Sequence, residues 1–248
     1  MSEVLSVSNL SFRYPGSDLL FEQVNFTLRE GELLGIIGPS GCGKSSLALI
    51  LCGIIPHSID GELAGEVYVT GSNICELPLP QLAVKVGIVF QDPETQLFLP
   101  QVRYELAFGP ENLCLSRGEI LEIIKRTAAL TVLDPLLECH PHAVSGGQQQ
   151  LAALAAVLCL DPVLLIFDEV ASQLDQESAA RILSVIKQLK EKGKSIIMID
   201  HNPARLIHAD RVLVMGLNKK HCIIDGKDIR DEQIWQKICY ADTAEAIN

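Results

Sequence analysis

Short apolar runs punctuated by turn residues dominate the first ninety positions, and helical spacing takes over later in the chain. Residues 5–14 alternate apolar and polar side chains, which predicts an edge strand turned by Pro15-Gly16. Residues 24–28 predict a second strand, closed by Glu30-Gly31. The unbroken run Leu33-Leu34-Gly35-Ile36-Ile37 predicts a buried strand ending at Gly38, and residues 44–52 a helix after a glycine-rich loop. Residues 67–70 and 86–90 read as further strands. From residue 92 to about 143 the strand runs vanish and amphipathic stretches such as 117–131 appear, with Pro and Gly at the joints. Helices over 148–160 and 177–190 then alternate with strands over 163–167, 195–199 and 212–215. Buried strands alternating with helices predict an α/β fold with a mainly parallel sheet covered on both faces. No internal repeat or low-complexity tract interrupts it.

With 48% hydrophobic residues and a positive mean hydropathy, the chain invites the question of a membrane span. Its longest apolar stretch, residues 151–160, is closed by Asp161-Pro162, well short of the roughly 20 residues a spanning helix needs. The start, MSEVLSVSNLSF, has no basic segment followed by a long apolar run, so no signal peptide is expected and the pattern predicts a cytosolic chain. The eight cysteines are scattered without a CxxC pair and read as small buried hydrophobes. A net charge of −11 argues against nucleic acid as a partner.

Candidate chemistry starts at Gly38-Pro39-Ser40-Gly41-Cys42-Gly43-Lys44-Ser45, a full match to G-x-x-x-x-G-K-[ST] between a predicted strand and a predicted helix. Glycines let backbone N–H groups turn inward around phosphate, and the helix N-terminus adds its positive dipole end. Lys44 can reach the β- and γ-phosphates, and the Ser45 hydroxyl can coordinate Mg²⁺. Farther on, the apolar strand 163–167 delivers Asp168 and Glu169 at its carboxyl end, where ligands of parallel sheets collect. Asp168 suits the outer shell of Mg²⁺, and Glu169 an attacking water. Two adjacent acids at a strand end are commonly a solvated turn; the phosphate loop upstream gives this pair its meaning.

A phosphate loop alone serves kinases, GTPases, motors and transport ATPases. Val144-Ser145-Gly146-Gly147-Gln148 narrows the choice, because it resembles the LSGGQ signature of ABC ATPases and forms a second potential anion nest at a helix start. Further positions follow the same family in order. Tyr14 matches the aromatic that stacks on adenine, and Gln91 the Q-loop glutamine that contacts Mg²⁺ and water and senses the transmembrane partner. Asp175 matches the D-loop aspartate, and His201 the switch histidine at the γ-phosphate. The resemblance spans nearly the whole chain. It implies a P-loop NTPase core (residues 1–91 and 161–248) with an N-terminal antiparallel β-subdomain and an inserted helical subdomain (92–160) that carries the signature. It also implies ATP and Mg²⁺ as cofactors, with Gly38 to Ser46 on the phosphates in cis. Ser145 to Gln148 would act in trans from a second ATPase subunit, identical or homologous, and transmembrane subunits would hold the assembly to the inner face of the cell membrane.

Gln91-Asp92-Pro93-Glu94-Thr95-Gln96-Leu97-Phe98 and Ile55-Pro56-His57 are similar to the ATPases of energy-coupling factor (ECF) transporters, importers of vitamins and metal ions. Three positions depart from the usual pattern. Val144 replaces the signature Leu, Leu151 stands where most relatives have Arg, and Val170-Ala171 replace Pro-Thr after the acid pair, which is expected to loosen the turn carrying Glu169. Two other classes use some of the same parts: a soluble ABC ATPase acting on DNA or ribosomes, and a P-loop phosphotransferase. The first usually carries coiled-coil insertions or tandem cassettes and a basic surface, which nothing here resembles, and ATPase activity without an acceptor, stimulated by a membrane partner, discriminates against the second. The tail, residues 225–248, offers Ile234-Trp235 and Ile238-Cys239-Tyr240 for packing on the core or on a partner.

Overall fold

The computed structural model of the chain describes residues 2–231, so the apolar tail residues from Ile234 to Tyr240 lie outside the described part. The N-terminal strands β1 (Glu3–Arg13) and β2 (Phe21–Arg29) pair antiparallel, and β1 also pairs with β4 (Glu62–Val69), which continues into the short β5 (Ser72–Asn73). The sheet order is β2-β1-β4-β5, so β1 lies inside the sheet and is not the edge strand its alternation suggested. Alternation reports one solvated face; it does not report how many neighbours flank the strand. The predicted strand at 67–70 is the end of a longer one, because residues 62–66 are largely exposed and lack an apolar run.

The second sheet has the order β10-β9-β3-β8-β7-β6, formed by β3 (Leu33–Ile37), β6 (Val86–Val89), β7 (Leu164–Asp168), β8 (Ser195–Ile199), β9 (Arg211–Met215) and β10 (His221–Asp225). Every pairing is parallel except β9 with β10. Period-two alternation splits each central strand between two cores. Leu165 and Phe167, Ile196 and Met198, and Val212 and Val214 face one core. Leu164 and Ile166, Ile197 and Ile199, and Leu213 and Met215 face the other. The second core is shared with the antiparallel sheet and with α1 (Lys44–Leu51) and the single helical turn α2 (Ile54–His57).

The first core is covered by helices. After α3 (Leu79–Lys85) and β6, the stretch to residue 160 contains α4 (Val102–Asn112), α5 (Arg117–Thr131), α6 (Gly146–Leu158) and short 3-10 turns. The N-termini have explicit signals: Ser116 with Glu119, and Ser145 with Gln148, form reciprocal capping boxes. Helix α7 (Gln176–Glu191) begins under the Asp175 carboxylate, which accepts from the N–H groups of Glu177 and Ser178. The far end of α6 sits hard on β6, where a Cβ on Gly87 would come within 2.4 Å of Val157 Cγ1. The cysteines divide. Cys42, Cys52 and Cys159 are buried, whereas Cys75 and Cys114 are exposed because they fall in loops after β5 and α4.

Candidate functional site

The phosphate loop runs from the carboxyl end of β3 into α1. Gly43 adopts φ +99°, and a Cβ there would lie 2.8 Å from Phe21 Cδ1, so both conformation and packing demand glycine. Lys44 is buried, yet its ammonium is held by the carbonyls of Gly38 at 2.9 Å and Pro39 at 3.1 Å, while Ser40, Gly41 and Ser45 are exposed. Tyr14 stands one residue beyond β1 and reaches this loop: its hydroxyl pairs with Ser46 Oγ at 2.9 Å, and Phe12 packs edge-on against its ring.

Parallel pairing of β7 between β6 and β8 gathers the remaining groups at one end of the sheet. Asp168, the last residue of β7, is buried and hydrogen-bonded to Ser45, and its Oδ1 has no partner. Burial pushes its carboxyl pKa up; the Ser45 bond opposes this, Glu169 adds to it and Lys44 opposes it. An orphaned carboxylate oxygen beside a hydroxyl suits the hard oxygen coordination of Mg²⁺. Among the described residues no group of three or more His, Cys, Asp or Glu could cage a metal.

Glu169 follows in the left-handed region at φ +51°, an uncommon conformation for a residue with a Cβ. Its N–H donates to Ile199 O at 3.0 Å, and its carbonyl accepts from Ser172 N at 3.0 Å and Ser172 Oγ at 2.8 Å. These bonds tie the turn to β8 and to Ser172, and Val170 and Ala171, which stand where Pro-Thr is usual, are both buried. The Glu169 carboxylate lies 3.1 Å from His201 Nδ1. Just past the end of β6, Gln91 donates through Nε2 to Ser172 Oγ at 3.0 Å. Tyr14, Gly38 to Ser46, Gln91, Asp168, Glu169 and His201 thus converge around one loop.

Ser145, Gly146, Gly147, Gln148 and Asp175 form a second cluster. A Cβ on Gly147 would strike Ser178 Oγ at 2.3 Å, so the signature turn packs tightly on the start of α7. Gly146 is exposed, and a Cβ there would meet only Leu174, at 4.0 Å. Its backbone is free to approach a ligand that comes from outside. Asp175 serves this cluster as a helix cap, and bonds from Ser178 and from backbone N–H groups lower its pKa. Leu151, at the position where Arg is usual, is buried in the first core.

Sequence reasoning missed several supporting residues. Ser172 links Gln91 to the Glu169 turn. Asp200 is fully buried, accepts from Asn202 N at 2.8 Å and pairs with Arg205 at 3.2 Å, fixing the turn that carries His201. Gln96 and Gln150 both bond the backbone of Phe90. The available signal was Gln150, the last of three glutamines and a buried polar side chain at the head of an apolar run.

Fold and site together define a P-loop ATPase with a second, glycine-based nest at a helix start. Comparison with known proteins makes this specific. The family described as "ABC transporter" matches residues 21–172. A putative ABC transporter ATP-binding protein of Pyrococcus horikoshii is 43% identical over 227 residues, covering 90% of this chain and 79% of that one. The energy-coupling factor transporter ATP-binding protein EcfA of Methanosarcina acetivorans is 41% identical over 217 residues, covering 87% and 77%. Among solved structures, cbiO1 from Clostridium perfringens, part of the ABC transporter complex cbiONQ, superposes with a TM-score of 0.83 at 27% identity over 96% of this chain and 95% of that one. The chain belongs to the ABC transporter family. It is an ATP-binding subunit that hydrolyses ATP to drive transport.

Proposed function

We propose that this chain powers an ECF-type importer of a vitamin or metal ion, working as one half of a head-to-tail ATPase dimer. The observation that carries the reading is the division of the site into two clusters. The phosphate loop presents a buried lysine and an orphaned Asp168 oxygen, and the signature presents an exposed nest at Gly146 that nothing in its own cluster fills. Each half leaves a triphosphate partly solvated; closing one on the other excludes water and strengthens every charge contact.

In this reading Gly38 to Ser46 cradle the phosphates in cis and Tyr14 stacks on adenine. Ser45, Asp168 and Gln91 hold Mg²⁺, which neutralises developing phosphate charge when bound. Glu169 orients the attacking water, its carboxylate aimed by the left-handed turn and by the contact with His201, and His201 steadies the γ-phosphate. Ser145 to Gln148 of a second copy or homologue close from the other side, with Asp175 at the junction. The transmembrane subunits dock beside Gln91. On the loop and on α4, which follow Gln91 in the chain, Phe98, Tyr104 and Phe108 stand exposed, and Phe98 packs edge-on to Phe108 at 5.1 Å. Among the described residues no helix is long and apolar enough to cross a membrane, which supports peripheral attachment on the cytoplasmic face through such a surface. The likeness to EcfA and to cbiO1 favours the ECF type.

Replacing Glu169 with Gln tests the reading. Turnover is expected to fall by a factor of about 10² or more, the usual loss when a positioned general base is removed. ATP binding persists and an ATP-dependent dimer accumulates, visible by light scattering. Wild-type turnover, or a variant that stays monomeric with ATP at high concentration and beside its membrane subunits, would overturn it.

A further inference from the structure

Phe90 is the single residue between β6 and Gln91, and two side chains grip its backbone. Its N–H donates to Gln96 Oε1 at 2.9 Å, while Gln96 Nε2 donates back to Ile88 O at 3.0 Å. Its carbonyl accepts from Gln150 Nε2 at 2.7 Å. That carbonyl shares a rigid peptide plane with the N–H of Gln91, so whatever holds it sets where Gln91 starts. Gln150 belongs to α6, whose first residues are the signature glycines.

Gln150 is an odd choice for packing alone. It is 1% exposed, it heads the run Leu151 to Ala155 that belongs to the first core, and its Oε1 is buried without a partner. An apolar side chain of the same length would leave no orphaned acceptor of its own. The amide's contribution is its single bond to the strand end that carries Gln91.

We propose that Gln150 is a positioning residue that joins α6 to the root of Gln91, so that seating the signature and placing Gln91 at the phosphates are one movement. The proposal rests on the roles given above to Gln91 and to the signature. A tilt of α6 pulls the Phe90 peptide with it, and Gln91 arrives only when the helix has closed.

The test is a double-mutant cycle with Gln150→Met, which keeps length and removes the bond, and Gln91→Ala, read as kcat and the KM for ATP of the full chain. Gln150→Met is expected to lower kcat by about tenfold to a hundredfold, as misplacement of a reacting group does. KM should stay within about twofold, because the cis phosphate loop is untouched. The double variant should be no slower than Gln91→Ala alone. Multiplying losses would show that Gln150 acts through the fold and not through Gln91, and unchanged kcat in Gln150→Met would overturn the proposal outright. A Gln91→Ala variant with wild-type kcat would instead sink the role of Gln91 and the proposal with it. A second measurement does not depend on Gln150→Met folding. In Glu169→Gln titrated with ATP, backbone hydrogen exchange in 91–97 and in 145–152 should slow with one midpoint. Separate midpoints would refute a shared movement.

Discussion

Gly146 and Gly147 are adjacent in sequence, but the structure gives them opposite duties. Alanine at Gly147 places a Cβ 2.3 Å from Ser178 Oγ and 2.5 Å from Ser178 Cβ, an overlap that side-chain rotation cannot clear because Cβ is fixed by the α7 backbone. Overpacking of this kind costs about 1–3 kcal/mol, offset by the roughly 0.4–1 kcal/mol that Gly→Ala gains by restricting the unfolded chain at a compatible backbone position. The expected net loss is about 1–2 kcal/mol, a fall in Tm of roughly 2–8 °C for a chain of this size. Alanine at Gly146 meets only Leu174 at 4.0 Å, so the restriction operates alone and Tm should rise by about 1–4 °C. Hydrolysis should move the other way: Gly146→Ala, though the more stable protein, should turn over ATP far more slowly because a methyl group now covers the nest. Thermal unfolding and steady-state ATPase assays on both variants suffice. Combining Gly147→Ala with Ser178→Gly should recover part of the lost stability, a coupling that separates collision from general damage. Equal losses of Tm in the two single variants, or wild-type hydrolysis by Gly146→Ala, would refute the reasoning.

Asp168 supplies a pH signature. Its folded pKa is raised, so its contribution to stability is complete below the ordinary carboxylate pKa of about 3.9 and is lost as pH rises through the folded value. In buffer with EDTA, Asp168→Asn should therefore melt at or above wild type at pH 7 and converge with it near pH 4, and with Mg²⁺ supplied instead it should hydrolyse no ATP; a lower Tm at pH 7 would contradict the sign. Tyr14→Ala should weaken ATP binding by about 1–3 kcal/mol if the ring stacks on the base, whereas Tyr14→Phe, which loses only the bond to Ser46, should bind normally. Calorimetric titration showing both variants equally impaired would place the function in the hydroxyl. Glu105 is buried and accepts from the N–H groups of Phe98 and Leu99, both at 2.5 Å. Glu105→Ala should destabilise the chain to urea by about 1–3 kcal/mol per unpaired group, and an unchanged midpoint would show that the exposed aromatic loop is held by other contacts.

Much of this arrangement is legible in the sequence because local rules and the fold agree. The run at 33–37 followed by Gly38 to Ser45 announces strand, loop and helix at once, and Ser145 with Gln148 announces a capped helix even without its function. The acid pair closing β7 is readable because a phosphate loop stands upstream; without that loop the same two carboxylates would pass for a solvated turn. The remainder depends on long-range pairing. β10 pairs antiparallel on the edge beyond β9 with alternating partial exposure, a pattern too weak to mark a strand. Helix α4 contains Gly109 and Pro110, which read as a break; Pro110 is tolerated near the helix end, where Gly109 fits closely against Leu160. The tie from Gln150 to Phe90 joins residues sixty apart, and no local pattern encodes it.

Close seating of Val157 over Gly87 fixes the foot of α6, and its capped start at Ser145 rests on the beginning of α7 through Gly147 and Ser178, so any swing of that end carries the contact with it. Such a helix is a lever with its fulcrum on a glycine. At 1.5 Å per residue its arm is roughly 20 Å, so tipping it by about 10° would sweep the signature through some 3 Å, about the reach of one hydrogen bond. In the proposed dimer, a rotation of that size would be enough to make or release a grip on phosphate.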